Sequence, residues 1–182
     1  MLFRLCLALL IIISTTISHS LFALNTLLIE VSKCDEVKMA NRYGTNLRWN
    51  WDKKWWKNSH GYLSGYWEAS VAYWDNKSSE KNHSSVIDVA VTPVLRYHYI
   101  EEILFTPFVE LGIGAHVHSR STIGYKNLDL PFSFGSHLGA GVLLGKDKKY
   151  ECSYRFQHLS NAGIGKNNPG INFHLLYIGY HF

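Results

Sequence analysis

Residues 61–74 read GYLSGYWEASVAYW, and the order of residue types in them decides the fold. Leu63, Trp67, Ala69, Val71 and Tyr73 take the odd positions, while Ser64, Tyr66, Glu68 and Ser70 take the even ones. A strand points successive side chains to opposite faces, so this stretch predicts a strand with one apolar and one polar face. The same period runs outward in both directions. Upstream, Tyr43, Thr45, Leu47, Trp49 and Trp51 interleave with Arg42, Gly44, Asn46, Arg48 and Asn50. Downstream, Ile87, Val89, Val91, Leu95 and Tyr97 oppose Asp88, Thr92, Arg96 and His98, and Val109, Leu111, Ile113 and Ala115 oppose Glu110, Gly112, Gly114 and His116. Phe132, Phe134, Leu138, Ala140 and Val142 then oppose Ser133, Gly135, His137, Gly139 and Gly141. Segments near 150–160 and 170–182, with a short first strand near 26–33, bring the count to eight.

Strands of about 10 residues with this dyad repeat are the mark of outer-membrane barrels. The polar face carries Arg42, Arg48, Arg96 and Arg155 against Glu68, Asp88, Glu110 and Glu151, so its charges are able to neutralise one another. Eight strands leave an interior that side chains just fill, which argues against an open pore. A soluble antiparallel sandwich with one wetted face needs something to bury the aromatic-rich face, and no helical pattern is there to cover it. Aromatics are 14% of the chain and charged residues 18%, against roughly 25% charged in an average globular chain. The expected fold is all-β: an eight-stranded antiparallel transmembrane β-barrel of the bacterial outer membrane. The terminal YIGYHF, with Phe182, Tyr180 and Ile178 on one face, resembles the C-terminal signature of such barrels. Pro93 and Pro107 fall inside strands and predict local bulges or strand starts.

Residues 1–23 read as a cleaved signal peptide, with Arg4, an apolar run from Leu5 to Ile13, and small-residue cleavage options after Ser20 or Ala23. Residues 24–182 then form one barrel domain. Cys34 and Cys152 predict two buried or lipid-facing thiols near opposite rims, not a disulfide. With a formal net charge of +4 and no basic-aromatic motif, the chain gives no reason to expect nucleic acid as a partner. The barrel rule puts both termini on the periplasmic side. Turns 52–60, 100–103 and 146–148 are then periplasmic, and loops 76–84, 119–130 and 161–169 are extracellular.

One stretch carries chemistry. Residues 155–172 read RFQHLSNAGIGKNNPGIN. His158 and Ser160 share a strand face with Cys152, Tyr154 and Phe156, the apolar face that meets lipid. The Gly-, Asn- and Pro-rich segment 161–169 predicts a loop, and a hairpin symmetric about it sets Asn172 opposite His158, with Cβ atoms roughly 5 Å apart. A hydroxyl, an imidazole and a polar orienter on one surface are the parts of a serine-type acyl hydrolase. Asn161, Gly163 and Asn168 are the candidate oxyanion-hole donors, although the asparagines serve equally well as turn formers. GIGK at 163–166 lacks the spacing and following helix of a phosphate loop. His116 and His118 lack the Cys or carboxylate neighbours of a metal site, so no metal is expected. Arg120, Lys126 and Lys166, in outer loops, are candidates to meet lipid phosphates.

The run HLSNAGIGKNNPGIN, followed by a strand ending in Phe182, resembles the PagL-type lipid A 3-O-deacylases, and so do LRWNW, GYLSGYWEASVAYW, PFVELGIGAH and FGSHLGAGV. The resemblance spans nearly all of the chain after residue 23. It implies an eight-stranded outer-membrane barrel that hydrolyses the ester-linked acyl chain at position 3 of lipid A without a cofactor. It implies His158 as base and Ser160 as nucleophile. The family's third residue is a glutamate, and Asn172 stands at the matching position. An amide holds an imidazole tautomer but does not stabilise imidazolium by charge. The expected partners are lipid A or lipopolysaccharide as substrate and the surrounding outer-membrane lipids, with homodimerisation left open. Two alternatives stay in view: a non-catalytic structural or adhesive barrel, and an acyl hydrolase preferring phospholipid.

Overall fold

A computed structural model describes residues 24–34, 40–76, 85–100, 104–124 and 126–182. The expected signal peptide, most of loop 76–84 and most of turn 100–103 lie outside the described residues. Eight long strands close into one antiparallel barrel: β1 (Thr26–Cys34), β2 (Ala40–Asn50), β3 (Gly61–Asn76), β4 (Val86–Tyr99), β5 (Phe105–His118), β8 (Phe132–Leu144), β9 (Tyr150–Ser160) and β10 (Ile171–His181). A two-stranded hairpin, β6 (Thr122–Ile123) with β7 (Lys126–Asn127), sits in the loop between β5 and β8. β1 pairs with β2 on one side and β10 on the other, so the ladder has no free edge.

Burial alternates strictly along β1, β9 and most of β4 and β5, as the sequence period requires. Val89, Leu111 and Phe156 are exposed on the outer wall, with Trp49 and Trp67 half-buried beside them. Pro93 corrects one expectation. The β3–β4 and β4–β5 registers are the same on both sides of it, so it makes a gap in the pairing with β5 at residues 92–93 and not a bulge. Pro107 lies near the start of β5, where a missing N–H costs little. The 52–60 turn is longer than a hairpin loop because pairing continues past β2, through the Trp55–Leu63 bridge. Cys34 is buried, Cys152 is exposed, and no disulfide joins them.

The interior pairs its charges in two clusters. Arg48 reaches Glu68 at 2.7 Å and Glu151 at 2.9 Å; Arg96 reaches Glu110 at 2.6 Å and Glu151 at 2.9 Å. Arg155 spans Glu68 at 2.6 Å and Glu110 at 2.5 Å. Each guanidinium thus bridges two carboxylates, and Tyr66 donates its hydroxyl to Glu110 at 2.7 Å. Burying an unpaired charge is expensive, and planar guanidinium forks satisfy several oxygens at once. Arg42 pairs with Glu30 at 2.6 Å and Asp88 at 3.4 Å. Glu30 is an interior carboxylate that the sequence reading missed. It was legible: it takes the even position between Leu28 and Ser32 on β1, but that strand is short and its parity was not assigned.

Towards the end of the barrel that holds the 161–170 loop the interior becomes apolar, which the polar-interior expectation did not foresee. Trp74, Ile123, Leu128, Leu159, Ile171 and Phe173 are almost fully buried there. Trp74 packs on Phe173 with ring centroids 4.9 Å apart and on His118 at 5.0 Å. This plug gives the 161–170 loop a solid floor.

Glu110→Gln leaves Arg96 and Arg155 each short of one anionic partner. It is expected to destabilise the barrel by about 3–5 kcal/mol, read as a lower urea midpoint of tryptophan fluorescence in lipid vesicles. Leu111→Arg, at the middle of β5 on the outer wall, is expected to cost about 2–4 kcal/mol in a bilayer. An Arg at this position that leaves vesicle folding unchanged would show that this wall does not face hydrocarbon.

Candidate active site

β9 and β10 pair in the register that sets Asn172 directly opposite His158. His158 Nδ1–H donates to Asn172 Oδ1 at 2.7 Å. The amide oxygen is an acceptor only, so this bond leaves the proton off Nε2, the nitrogen free to act as a base. Ser160 lies two residues on, on the same outward face, and its hydroxyl has no hydrogen-bond partner among the described residues. Between them Leu159 points inward and is fully buried, as are Ile171 and Phe173 on either side of Asn172. The interior plug therefore anchors the backbone that presents His158, Ser160 and Asn172. On the other flank, β8 places Ser136 opposite His158 and Phe134 opposite Ser160.

The loop after Ser160 is held by its asparagines. Asn161 is 2% exposed. Its Nδ2 donates to the Asn167 carbonyl at 2.6 Å, and its Oδ1 accepts from Gly163 N–H at 3.0 Å. Asn168 Oδ1 accepts the Asn161 backbone N–H at 2.9 Å. Both asparagines are thus turn formers, and the Asn161 amide and the Gly163 N–H are engaged within the loop. The Asn168 Nδ2 donor has no partner among the described residues, and Asn168 is exposed. The neighbouring loop braces this one: Asp129 Oδ2 accepts the Asn167 N–H at 3.2 Å, and the Leu128 side chain is buried beneath.

Gly170 is a site residue the sequence reading missed. Its φ is +49°, and a Cβ there would lie 2.7 Å from His158 Cε1 and 3.2 Å from Nε2. The missing side chain leaves the imidazole's basic edge its space. The only sequence signal was the Pro169–Gly170 step, which reads as turn chemistry. Of the basic loop residues, Arg120 and Lys166 are exposed and Lys126 is half-buried. His116 and His118 point into the barrel, each with Nδ1 near Asp88, at 3.1 and 3.2 Å. They belong to the interior network, far from the outward face of β9.

Comparison with known proteins identifies the family and the fold. The family model described as lipid A 3-O-deacylase (PagL) matches residues 39–181. The chain is 33% identical over 135 residues to the lipid A deacylase PagL of Pseudomonas aeruginosa, a match covering 74% of this chain and 75% of that protein. It is 32% identical over 115 residues to the lipid A deacylase PagL of Bordetella bronchiseptica, covering 63% of this chain and 61% of that one. The crystal structure of the outer membrane enzyme PagL superposes with a TM-score of 0.76 at 29% identity, over 86% of this chain and 99% of that one. Neisserial surface protein A superposes with a TM-score of 0.52 at 8% identity, over 86% and 94% of the two chains, which is a likeness of fold alone. A closed barrel with an apolar outer wall, carrying an outward His, Ser and Asn at one rim, therefore has its place among proteins of known kind: the chain belongs to the PagL family of lipid A 3-O-deacylases and is a bacterial outer-membrane barrel.

Proposed function

We propose that this protein hydrolyses the 3-O-acyl ester of lipid A by a serine mechanism, with Ser160 as nucleophile, His158 as general base and Asn172 as orienter. The observation that carries the reading is the His158–Asn172 hydrogen bond of 2.7 Å on the outer wall, with Ser160 beside it on the same face. The start of β1 and the end of β10 lie at the opposite rim, which the barrel rule makes periplasmic, so this rim meets the outer leaflet and its lipid A. Residues 1–23 would serve as the export signal, removed to leave the barrel domain 24–182.

In this mechanism His158 Nε2 accepts the Ser160 proton as Oγ attacks the ester carbonyl carbon. The carbonyl π electrons move to oxygen, and the oxyanion accepts a hydrogen bond from Asn168 Nδ2, the amide donor not engaged within the loop. Collapse expels the sugar 3-oxygen, which takes the proton back from His158. Water, deprotonated by His158, then attacks the acyl-Ser160 ester; collapse releases the fatty acid, and the leaving Ser160 Oγ takes that proton back from His158. Asn172 holds the imidazole in the tautomer this needs. It brings no negative charge to the imidazolium, so the orienter works here by geometry alone. Asn161 and Gly163 support the reaction indirectly, by fixing the loop that carries Asn168.

Lipid A profiles by mass spectrometry, from a host expressing each variant, test this. Ser160→Ala and His158→Asn are expected to lower deacylation by at least about 10³-fold while the barrel still folds. Asn172→Ala is expected to lower it by about 10-fold to 100-fold. Asn172→Glu is expected to keep or raise it, because a carboxylate favours the imidazolium that develops. An inactive parent restored by Asn172→Glu would mean a barrel whose triad is lost. Release of fatty acid from phospholipid and not from lipid A would move the substrate.

Gly170→Ala is expected to reduce turnover by about 10-fold or more with little loss of folding, since its Cβ displaces the His158 ring and its φ costs about 1 kcal/mol. Full activity in that variant would show that the ring position in this structure is not the working one.

A further inference from the structure

The periplasmic half of the outer wall carries a groove that the hydrolytic mechanism does not use. Trp51, just past the end of β2, walls one side of it. Pro93 and Leu95 of β4 and Leu111 and Ile113 of β5 line the rest, and its volume is about 270 Å³. A glycine and a proline shape it. A Cβ at Gly65 would lie 2.1 Å from the Trp51 ring, so the indole crosses β3 only because that position has no side chain. Beyond it, β4 and β5 are unpaired at residues 92–93, where Pro93 has no N–H to offer. Trp55 and Trp67 hold Trp51 edge-on, with ring centroids 6.1 Å away in both cases.

The groove ends at a basic turn, residues 52–60, which read DKKWWKNSH. The turn is ordered by its own hydrogen bonds. Trp55 and Leu63 exchange two backbone bonds, of 2.8 and 2.9 Å, and Asn58 Oδ1 accepts the N–H groups of His60 and Gly61. Lys53, Lys54 and Lys57 are exposed, and none pairs with a carboxylate among the described residues. Lys53 Nζ lies 5.6 Å from the Trp55 ring centroid, beside the tryptophans that wall the groove. Lys54 Nζ lies instead 4.7 Å from the ring of Tyr62, which stacks on the inward His98. Asp52 is the turn's one carboxylate, and Glu101 and Glu102 of the next turn lie outside the described residues.

An aromatic belt alone does not account for this arrangement. Belt tryptophans stand at headgroup level, whereas this groove runs on from them into the wall. From Tyr99, at the periplasmic end of β4, to Pro93 is six residues, or about 14 Å of depth at ~3.3 Å rise and a tilt near 45°. That is about half of a ~30 Å hydrocarbon core, the reach of an acyl chain in one leaflet. The groove presents only apolar side chains, which suits an aliphatic chain. An ammonium at its rim that no carboxylate neutralises suits an anionic headgroup.

We propose that the groove and the 52–60 turn bind one anionic glycerophospholipid of the periplasmic leaflet. Its phosphate sits at Lys53, with Lys57 in the same turn as the second cation. One acyl chain lies past Trp51, against Pro93, Leu95, Leu111 and Ile113. The site is on the half of the wall away from Ser160 and stands independently of the hydrolytic mechanism.

Native mass spectrometry of the folded barrel in detergent, with equal amounts of dioleoyl phosphatidylglycerol and dioleoyl phosphatidylcholine, tests this. The two lipids have the same acyl chains and differ in net charge. The parent is expected to retain one phosphatidylglycerol in preference to phosphatidylcholine by about tenfold. Lys53→Gln/Lys57→Gln is expected to bring that ratio to within about twofold of one. Lys148→Gln/Lys149→Gln, the same charge change in the turn between β8 and β9, is expected to leave it unchanged. Ile113→Trp, which fills the groove from an outward position, is expected to weaken both lipids by a common factor. Heat-modifiable migration on gels checks that each variant folds. A parent that retains both lipids equally overturns the site. So does an equal effect of the two lysine pairs, which would mean a diffusely basic rim. A parent mass of two chains that Ile113→Trp reduces to one would give the groove to a second copy, and overturns the lipid site too.

Discussion

Closure of the sheet is the constraint on which everything else depends. A strand edge facing hydrocarbon leaves a row of N–H and C=O groups without partners, each costing several kcal/mol. Pairing β1 to both β2 and β10 removes that edge. Once the sheet is closed, every residue of every strand faces either the lumen or the membrane, and the period of two assigns each to one side. The charges must then be solved inside. Arg48, Arg96 and Arg155 do this by each bridging two carboxylates, so that breaking any one contact affects the rest.

The proposed active site is where this pattern is broken. His158, Ser160 and Asn172 occupy outward positions that elsewhere hold Val, Leu, Ile and aromatics. Their placement is fixed from the other side of the wall, because Leu159, Ile171 and Phe173 are locked into the apolar plug. Rigid interior packing thus fixes the backbone behind three exterior side chains. The loop above is held the same way: its asparagines use most of their hydrogen-bonding capacity on their own backbone, and the Asn168 amide nitrogen is the donor that the proposed mechanism uses.

Asn172 shows two costs in opposition. A carboxylate at a lipid-facing rim stabilises the imidazolium but must be desolvated, and an amide is cheaper to place there and contributes no charge. The hydrogen bond to His158 is made either way, so the tautomer is set whichever residue is present. What differs between the two is the height of the barrier, not the arrangement of the parts.

Read alone, the sequence determined the strand count, the face of nearly every residue and the pairing of His158 with Asn172, because the dyad period and a hairpin's symmetry are local properties. It determined most of the composition of the charged interior too, Glu30 excepted, but not its wiring. Which arginine meets which carboxylate depends on the stagger of strands far apart in the chain, such as Arg48 on β2 and Glu151 on β9, and no local pattern encodes that. The apolar plug was hidden for a related reason. Trp74, Leu128, Leu159 and Phe173 come from separate segments, and only closure of the barrel brings them together. Gly170 was likewise decided by tertiary structure, because a glycine's role depends on the ring that approaches it.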